Sequence, residues 1–572
     1  MPIQFEHHGE PRGRRLFFLV HGMEHTAADL AHLKEAIRAE FPEDRLVLVT
    51  YPSSRWSNQN PLEVAEKCVA EIQSEFESGP DGGYEEIIIV GHSLGALLAR
   101  KICLLAHGIC SDFAVDIPFT PASRSWANKV KRLVLLAGMS RGWRLWPRNQ
   151  YSSRIRWIAR GLQLAVARVL GRGLLLRAAH RGSPFIVNLR LDWLALINGD
   201  YPKELPPDLV VQIAALHDTV VHPSDHIDLQ AGWNFRYVAV EGTSHNALVR
   251  FDDAEHGLER KHKFLHALNT SPEEFAVELI PGVDSPNAKV AQVILLLHGI
   301  RDYGKWQEDL RGQLQAGAAK RQLLIETSIF NYGYLPLLPF LCGIGRTIHI
   351  ERFMDRYAEM RATYPKALCS FAGHSNGTYL LASALRRYRA SRFARVAFMG
   401  SIVQRNFPWR KEFKNRIAEV RNHVASADWV VAIFPSLFEM VRSLPLMHNF
   451  PLNRDFGSAG HTGFTQSGGT IQNVAYIEGG HGAALEPECR ESLVSFLLGD
   501  APEVRTMPKV VEWQAGWVAN AHKICVLIWI AILVAGIFLF RGSVLVNAWL
   551  GWQWPILPAA VIVVFLFAFF TY

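Results

Sequence analysis

The feature that most constrains the fold of this chain is an internal repeat, because three segments of the first half recur in the second half in the same order. The first segment is an apolar run followed by His-Gly, the second surrounds a serine with glycines, and the third places a histidine after an apolar run. Three ordered matches indicate a duplication. The pairs are LFFLVHGMEHTAADLAHLKEAI from Leu16 and ILLLHGIRDYGKWQEDLRGQL from Ile294, EEIIIVGHSLGALLARKI from Glu85 and ALCSFAGHSNGTYLLASAL from Ala367, and VAVEGTSHNAL from Val238 and AYIEGGHGAAL from Ala475.

Strand-like runs alternate with helix-like runs in both halves, which predicts an α/β fold with a mostly parallel sheet covered by helices on both faces. A chain of 572 residues is also too long for a single core. A seam lies at 266–288, where turn residues are frequent and periodicity is weak. We therefore predict domain one at 1–265, a linker at 266–288 and domain two at 289–500.

The C-terminal segment differs in composition, since Arg541 is the only charged residue between Ile524 and Tyr572. After a linker at 501–523, the run ICVLIWIAILVAGIFLF is 17 residues long, at the lower limit of about 17 to 25 residues for a membrane-spanning helix. A second run, PILPAAVIVVFLFAFFTY, follows three tryptophans, as in an interfacial aromatic belt. Two transmembrane helices at 524–572 are the prediction, and a helical hairpin buried against the two domains is the alternative.

Basic residues indicate the orientation of these predicted spans. Arg505, Lys509 and Lys523 precede them, whereas the connection between them holds only Arg541. The positive-inside rule then predicts that both domains lie on the cytoplasmic side of a membrane. The N-terminal apolar run LFFLV is too short for the core of a secretory signal.

The seven cysteines show no paired or metal-ligand spacing. The sequence also contains no phosphate-binding loop and no dinucleotide fingerprint. We therefore predict a chain that works without a metal or cofactor in a reducing compartment.

The middle pair of repeats carries the chemistry. Residues 91–95 and 373–377 both fit G-x-S-x-G, and each serine lies between a strand-like and a helix-like run. In that setting a sharp turn lifts the serine hydroxyl above the sheet, while the glycines let neighbouring backbone pass. Both halves resemble α/β-hydrolase domains, the first being similar to the serine-esterase and lipase-like branch. The resemblance covers nearly all of residues 14–500.

A serine hydroxyl is a weak nucleophile until a base removes its proton, and the base needs a carboxylate to fix its tautomer. The family order is serine, acid, histidine. In domain one this order selects Ser93, Asp218 after an apolar strand, and His245 after the next strand. An alternative acid is Asp225, which has three other histidines nearby, His217, His222 and His226.

In domain two the same order selects Ser375, Asp428 and His481. The alternative is an inactive copy that has kept the turn for packing, and Asn376 in place of Leu94 is compatible with either interpretation. All three residue types occur in order, which favours an active second site.

The resemblance also implies an oxyanion hole made of two backbone N–H groups. One follows the nucleophile, at Leu94 or Asn376. The other lies in the loop after the first His-Gly strand, at Met23 or Ile300. His21 and His298 are expected to shape that loop without taking part in the chemistry.

Domain one carries extra residues between its serine and its acid, and the resemblance implies that this insert, at about 139–205, forms a cap over the site. Residues 141–190 within it contain eleven Arg and no Asp or Glu, with tryptophans interleaved. This pattern favours contact with anionic lipid over nucleic acid, and a solvated helix face is the alternative.

These features together predict a membrane-anchored serine hydrolase that cleaves carboxylic esters, with lipid or acyl esters as substrates. Thioesterases, amidases and acyltransferases use the same three residues, so the sequence leaves these activities open. A membrane-tethered scaffold built on inactive hydrolase folds is the alternative from another class. No feature of the sequence indicates an oligomeric state.

Overall fold

The structure is a computed structural model, and it describes residues 2–11, 13–80, 83–112, 122–144, 171–228, 234–275, 287–300, 304–331, 346–442, 455–500 and 508–550. The chain forms two compact units. Unit 1 comprises Met1–Asn287, Met354–Pro365 and Tyr388–Ala390, and unit 2 comprises Ala288–Phe353, Lys366–Arg387 and Ser391–Tyr572. The main boundary, between Asn287 and Ala288, lies within the segment predicted as a linker.

Unit 1 contains a seven-stranded sheet. Its strands are β1 (Gln4–His8), β2 (Arg15–Val20), β3 (Arg45–Thr50), β4 (Glu86–His92), β5 (Val130–Leu136), β6 (Leu209–Ala215) and β7 (Phe235–Val240). They lie in the order β1-β3-β2-β4-β5-β6-β7, and only β1, which pairs with β3, is antiparallel to its neighbour. The predicted α/β class is confirmed.

Helices cover both faces of this sheet, because the apolar strands present buried side chains on both sides. The helices are α1 (Ala31–Glu40), α2 (Pro61–Ser78), α3 (Leu94–Ala106), α4 (Leu174–Ala178), α5 (Pro184–Ile197), α6 (Pro223–His226) and α7 (Gly257–Asn269). Phe17 and Leu19 of β2 pack with α1 and α7, whereas Phe18 and Val20 pack with α2 and α3. This alternation follows from the two-residue period of a strand.

Unit 2 contains a six-stranded parallel sheet with strand order β13-β12-β11-β10-β8-β9. Its strands are β8 (Gln292–Leu297), β9 (Ile325–Phe330), β10 (Leu368–His374), β11 (Phe393–Met399), β12 (Ile417–Ala425) and β13 (Ile471–Ile477). The helices of the second half of the chain are α8 (Lys305–Lys320), α9 (Arg346–Thr363), α10 (Asn376–Arg387), α11 (Trp409–Glu412), α12 (Trp429–Arg442), α13 (Ala459–Thr462), α14 (Pro487–Leu498) and α15 (Gly516–Trp549). Short 3-10 helices lie at Ala27–Leu30, Ala127–Lys129, Ala247–Val249 and Ala483–Leu485.

The C-terminal helix differs from the prediction. Helix α15 continues through Arg541 to Trp549, so much of the predicted connection between two spans is helical. Within the described ranges, no helix is long and apolar enough to cross a membrane. The transmembrane hairpin predicted at 524–572 is thus not supported, and its second apolar run, at 555–572, lies outside the described residues.

In the Arg-rich segment at 141–190, Arg181 and Arg190 are shielded from solvent, whereas 145–170 lies outside the described residues, so contact of the segment with anionic lipid stays a prediction. Arg190 is 1% exposed, and its Nη2 lies 2.8 Å from Asp228 Oδ1. Nη1 of the largely buried Arg181 lies 2.7 Å from Asp225 Oδ1. Carboxylates from outside the segment therefore neutralise these two arginines inside unit 1, and neither lies on the surface as contact with lipid would require.

We predict that Asp228→Ala destabilises the protein by about 3 to 5 kcal/mol, because it removes the carboxylate between two buried guanidiniums. Nη2 of the second of these, Arg100, lies 3.4 Å from Asp228 Oδ2. Urea unfolding measures the effect. The control is Asp252→Ala, which changes a side chain that is 67% exposed and should alter the free energy of unfolding by less than about 0.5 kcal/mol. Equal effects of the two substitutions would contradict the prediction.

Candidate active sites

The turn at Ser93 joins β4 to α3 in a conformation that few side chains adopt. Ser93 has a φ of +54°, and its N–H donates to Leu136 O at 2.8 Å. The flanking glycines make room for this turn, since a Cβ on Gly95 would lie 2.1 Å from Val20 O and one on Gly91 would lie 2.3 Å from Gly95 O. The strained turn thus lies directly against β2, as a nucleophile elbow requires.

Asp218 follows β6 and is buried. Its Oδ1 accepts hydrogen bonds from the N–H groups of Val220 and Val221 at 2.7 and 2.8 Å, and its Oδ2 lies 2.6 Å from His245 Nδ1. Burial raises the pKa of this carboxyl, but the neighbouring histidines His226 and His245 together lower it by more, so the net pKa is well below the usual range. Asp218 is therefore ionised near neutral pH.

His245 follows β7 and completes the series, with Nε2 2.9 Å from Ser93 Oγ. Because Nδ1–H donates its hydrogen bond to Asp218, the lone pair of Nε2 faces the serine hydroxyl. The structure thus brings together Ser93, Asp218 and His245, the three residues that the sequence selects. This arrangement is able to activate a serine as a nucleophile.

The alternative acid, Asp225, is placed differently. Its carboxylate is paired with Arg181 and with Arg144 Nε at 2.9 Å, away from His245. His226 lies beside the selected acid instead, with Nε2 3.3 Å from Asp218 Oδ2. The other two histidines of the alternative are outside this contact, since His217 is exposed and His222 lies 3.3 Å from Arg144 Nη2.

A cavity of about 290 Å³ opens above Ser93. Its lining residues are Met23, Glu24, His25, Arg55, Ser93, Met139, Trp143, Leu176, Ala179, Val220, His245 and Asn246. Half of these side chains are apolar, and the polar ones besides Ser93 and His245 are Glu24, His25, Arg55 and Asn246. The cavity gives a small organic substrate access to the serine.

The backbone around this cavity fits the expected oxyanion hole. Leu94 is the first residue of α3, where backbone N–H groups have no acceptor inside the helix. Met23 lines the cavity, and a Cβ on the preceding Gly22 would lie 2.9 Å from Ser93 Cβ, which shows how closely this loop approaches the serine. Both predicted donors therefore belong to segments that adjoin Ser93.

His21 braces the loop after β2. Its Nδ1 donates to Gly22 O at 2.8 Å, its ring stacks on Tyr51 with centroids 4.2 Å apart, and the Tyr51 hydroxyl donates to His21 O at 2.8 Å. Burial lowers the pKa of His21 to about 4. The ring is therefore neutral and takes a structural role.

A further histidine in the G-H-S-x-G turn contacts the backbone of His245. His92 precedes the serine and is buried, and its Nε2 lies 3.2 Å from His245 O. Burial lowers its pKa, so the ring is neutral. His374 makes the matching contact in unit 2, with Nε2 3.2 Å from His481 O. The shared His in both G-H-S-x-G motifs was the available signal.

The turn at Ser375 in unit 2 repeats that at Ser93. Ser375 has a φ of +50° and donates its N–H to Met399 O at 3.0 Å. A Cβ on Gly377 would lie 2.4 Å from Leu297 O, and one on Gly299 would lie 2.9 Å from Ser375 Cβ. The predicted backbone donors Ile300 and Asn376 stand next to these contacts, one after Gly299 and the other at the start of α10.

The side chains of this second site are arranged differently. Asp428 is buried, and its Oδ2 lies 2.9 Å from His481 Nδ1. Burial lowers the pKa of His481, but the charge and hydrogen bond of Asp428 together raise it by more, so the net pKa lies above the usual 6.5. Between the described side chains of His481 and Ser375 there is no hydrogen bond. In unit 2 the hydrogen bond between the acid and the base is therefore formed, whereas the one between the base and the serine is not.

The comparisons with known proteins concern mainly the first half of the chain. Residues 10–114 match a family described as "Putative serine esterase (DUF676)", and no curated protein matches the chain. Similar solved structures include Est1E from Butyrivibrio proteoclasticus with ferulic acid bound, which is 11% identical over 46% of this chain and 95% of its own, with a TM-score of 0.29. An esterase from Exiguobacterium antarcticum is 14% identical over 46% of this chain and 93% of its own, with a TM-score of 0.28.

The family match contains the loop after β2 and the turn at Ser93. Together with the hydrogen bonds among Ser93, His245 and Asp218, this match shows that the chain is a hydrolase of the α/β class.

We predict that the pKa of His481, followed by NMR titration, lies above 6.5 and falls in Asp428→Asn. The neutral amide removes the charge that favours the imidazolium. Because the pKa of His481 is raised, acidification protonates this histidine at a higher pH than it protonates a free histidine. Protonated His481 no longer acts as a base. The control is Glu478→Gln, which removes a carboxylate three residues before His481 in the sequence. It should leave the pKa of His481 nearly unchanged. A His481 pKa that does not respond to Asp428→Asn would contradict the prediction.

Proposed function

We propose that this hydrolase is a serine esterase in which Ser93 is the nucleophile, His245 the general base and Asp218 the carboxylate that orients the base. The observation that carries the proposal is the continuous series of hydrogen bonds from Asp218 through His245 to Ser93, which ends at an open cavity. The match of residues 10–114 to a serine-esterase family supports the same reaction.

The proposed reaction follows the roles that this geometry allows. Ser93 Oγ attacks the ester carbonyl carbon while its proton passes to His245 Nε2, and Asp218 stabilises the resulting imidazolium. The N–H groups of Met23 and Leu94 bind the oxyanion, and their fixed positions favour the tetrahedral intermediate. His245 then gives its proton to the departing alcohol, and water cleaves the acyl-enzyme by the same route.

The cavity favours a compact acyl group. Its volume of about 290 Å³ lies just below the range of about 300 to 1,000 Å³ for ligand pockets. The apolar lining, which includes Met139, Leu176 and Val220, suits a short hydrocarbon chain. A lipid ester, which the sequence suggested as the substrate, stays a prediction.

We propose that unit 2 is a second hydrolase domain with Ser375 as its nucleophile, so that the chain carries two sites in tandem. The elbow geometry at Ser375 and the Asp428–His481 pair support this role. Since Ser375 is not hydrogen-bonded to His481, the proton transfer needs a side-chain movement first. Catalytic hydrogen bonds often form fully only with substrate present.

We predict that a fluorophosphonate probe labels both Ser93 and Ser375, and labels Ser93 faster because its hydrogen bond to the base is already formed. Labelling is located by mass spectrometry of tryptic peptides. Ser93→Ala should retain labelling at Ser375, the converse variant should retain it at Ser93, and the double variant should lose ester hydrolysis by more than about 1,000-fold.

Two outcomes would contradict this proposal. Hydrolysis that persists in the double variant would mean that other residues carry the reaction. An unlabelled wild-type protein, tested with a serine esterase as a positive control, would favour the alternative of a scaffold built on inactive folds.

We further propose that α15 holds the enzyme at a membrane, with both units on the cytoplasmic side. Its first turns pack inside unit 2, where Val518 and Ala521 contact Ala432 of α12. Further along, the helix presents apolar side chains to the surface, and Phe538 is 72% exposed and Leu545 71% exposed. Such a surface favours insertion into a lipid interface.

We predict that the full chain co-sediments with vesicles of neutral phospholipid, whereas a chain ending at residue 526 stays in the supernatant. This truncation keeps the buried Val518, Ala521 and Cys525, so unit 2 should retain its thermal unfolding transition. Equal binding of the full chain and the truncated chain to the vesicles would exclude α15 as the segment that attaches the protein to the membrane.

A further inference from the structure

His25 occupies a position in the unit 1 cavity that the proposed reaction leaves without a role. It lies in the loop after β2, and it lines the cavity together with Ser93 and His245. Its ring stacks on His92, with centroids 5.2 Å apart and the planes inclined by 15°. The imidazole is thus held beside the reacting groups.

The backbone of this loop is fixed at consecutive residues. The Glu24 N–H donates to Ser53 O at 2.8 Å, and the Ser53 hydroxyl donates to His25 O at 2.8 Å. The Glu24 side chain pairs with Arg55 at 2.7 Å. These contacts place Glu24, His25 and Arg55 as one polar cluster in a cavity that is otherwise mostly apolar.

The environment of His25 selects one tautomer. Its Nδ1 is buried and makes no hydrogen bond to any described residue. Burial lowers the pKa of His25, and the nearby His245 and Arg250 lower it further against the opposing effect of Asp29. In a neutral imidazole one nitrogen carries the proton, and a buried N–H without an acceptor is more costly than a buried lone pair. The proton therefore resides on Nε2.

We propose that His25 binds the alcohol part of the substrate, donating a hydrogen bond from Nε2 to an oxygen of that part, so that the preferred substrates are esters of a compact acyl group with a polar, hydroxyl-bearing alcohol. The inference rests on the proposed esterase function. The carbonyl oxygen is already assigned to the N–H groups of Met23 and Leu94, and the apolar lining suits the acyl chain. The cluster of Glu24, His25 and Arg55 is then left for the alcohol.

A pair of esters with the same acyl group tests this assignment. Glyceryl monobutyrate carries hydroxyl groups on its alcohol, whereas butyl butyrate carries none. The measurement is kcat/KM for both esters with the full chain carrying Ser375→Ala, so that only the unit 1 site is observed. We expect the glyceryl ester to be preferred, and we expect His25→Phe, which keeps an aromatic ring on His92, to lower that preference about tenfold, the scale of one lost hydrogen bond.

His25→Gln provides the matched variant, because its amide restores a donor without the imidazole. It should recover most of the preference that His25→Phe loses, and thermal unfolding of each variant establishes that it is folded. A Ser375→Ala protein with His25 intact that hydrolyses the butyl ester as well as or better than the glyceryl ester would overturn the assignment, and this result needs no substitution at His25. An unchanged ratio in a folded His25→Phe protein would overturn it as well.

Failure of the underlying function gives a different result. In that case neither ester is hydrolysed, or hydrolysis persists when Ser93→Ala is combined with Ser375→Ala. Loss of preference without loss of the Ser93-dependent reaction therefore bears on His25 alone.

Discussion

The conformation of the serine between its two glycines is the constraint on which each unit depends. Ser93 and Ser375 have φ angles of +54° and +50°, and a side chain held there costs about 1 to 3 kcal/mol unless its surroundings enforce it. Enforcement comes from close backbone contacts, since Gly95 lies against Val20 O and Gly377 against Leu297 O. The strand that precedes the oxyanion loop must therefore neighbour the strand that precedes the serine. Both sheets have this order, with β2 beside β4 and β8 beside β10.

The parallel sheet then assembles the rest of each site. Because the carboxyl ends of parallel strands lie at one edge, residues that follow β4, β6 and β7 meet there, although Ser93 and His245 are 152 positions apart in the chain. The same edge holds Ser375, Asp428 and His481 after β10, β12 and β13. In unit 1, hydrogen bonds from backbone N–H groups hold the buried Asp218 carboxylate in place. The carboxylate in turn fixes the tautomer of His245. The chemistry is thus a consequence of strand order and of the turns at strand ends.

The local sequence pattern was enough to predict the α/β class and to select residues that the structure brings together, because the serine turn and the apolar strands are each encoded by a few neighbouring residues. Contacts between distant segments have no such local sequence pattern. Arg181 and Arg190 pair with Asp225 and Asp228, which lie 44 and 38 positions further along the chain. The support that His92 and His374 give to the backbone of the two histidine bases also depends on tertiary placement. For α15, hydropathy alone did not determine where the helix ends, and Arg541 and Gly542 continue it.

The two sites differ in the one contact that matters for proton transfer. In unit 1 the side chain of His245 is already hydrogen-bonded to Ser93. In unit 2 the described residues show the side chain of His481 hydrogen-bonded to Asp428 and not to Ser375. A preformed hydrogen bond lowers the reorganisation needed before attack, so unit 1 is closer to a reactive state. In unit 2, the same Asp–His pair raises the pKa of His481, which strengthens the base but protonates it at a higher pH. Both units therefore hold the strained serine turn, but among the described residues only Ser93 is hydrogen-bonded to its histidine, and the reactivity of each serine depends on this contact.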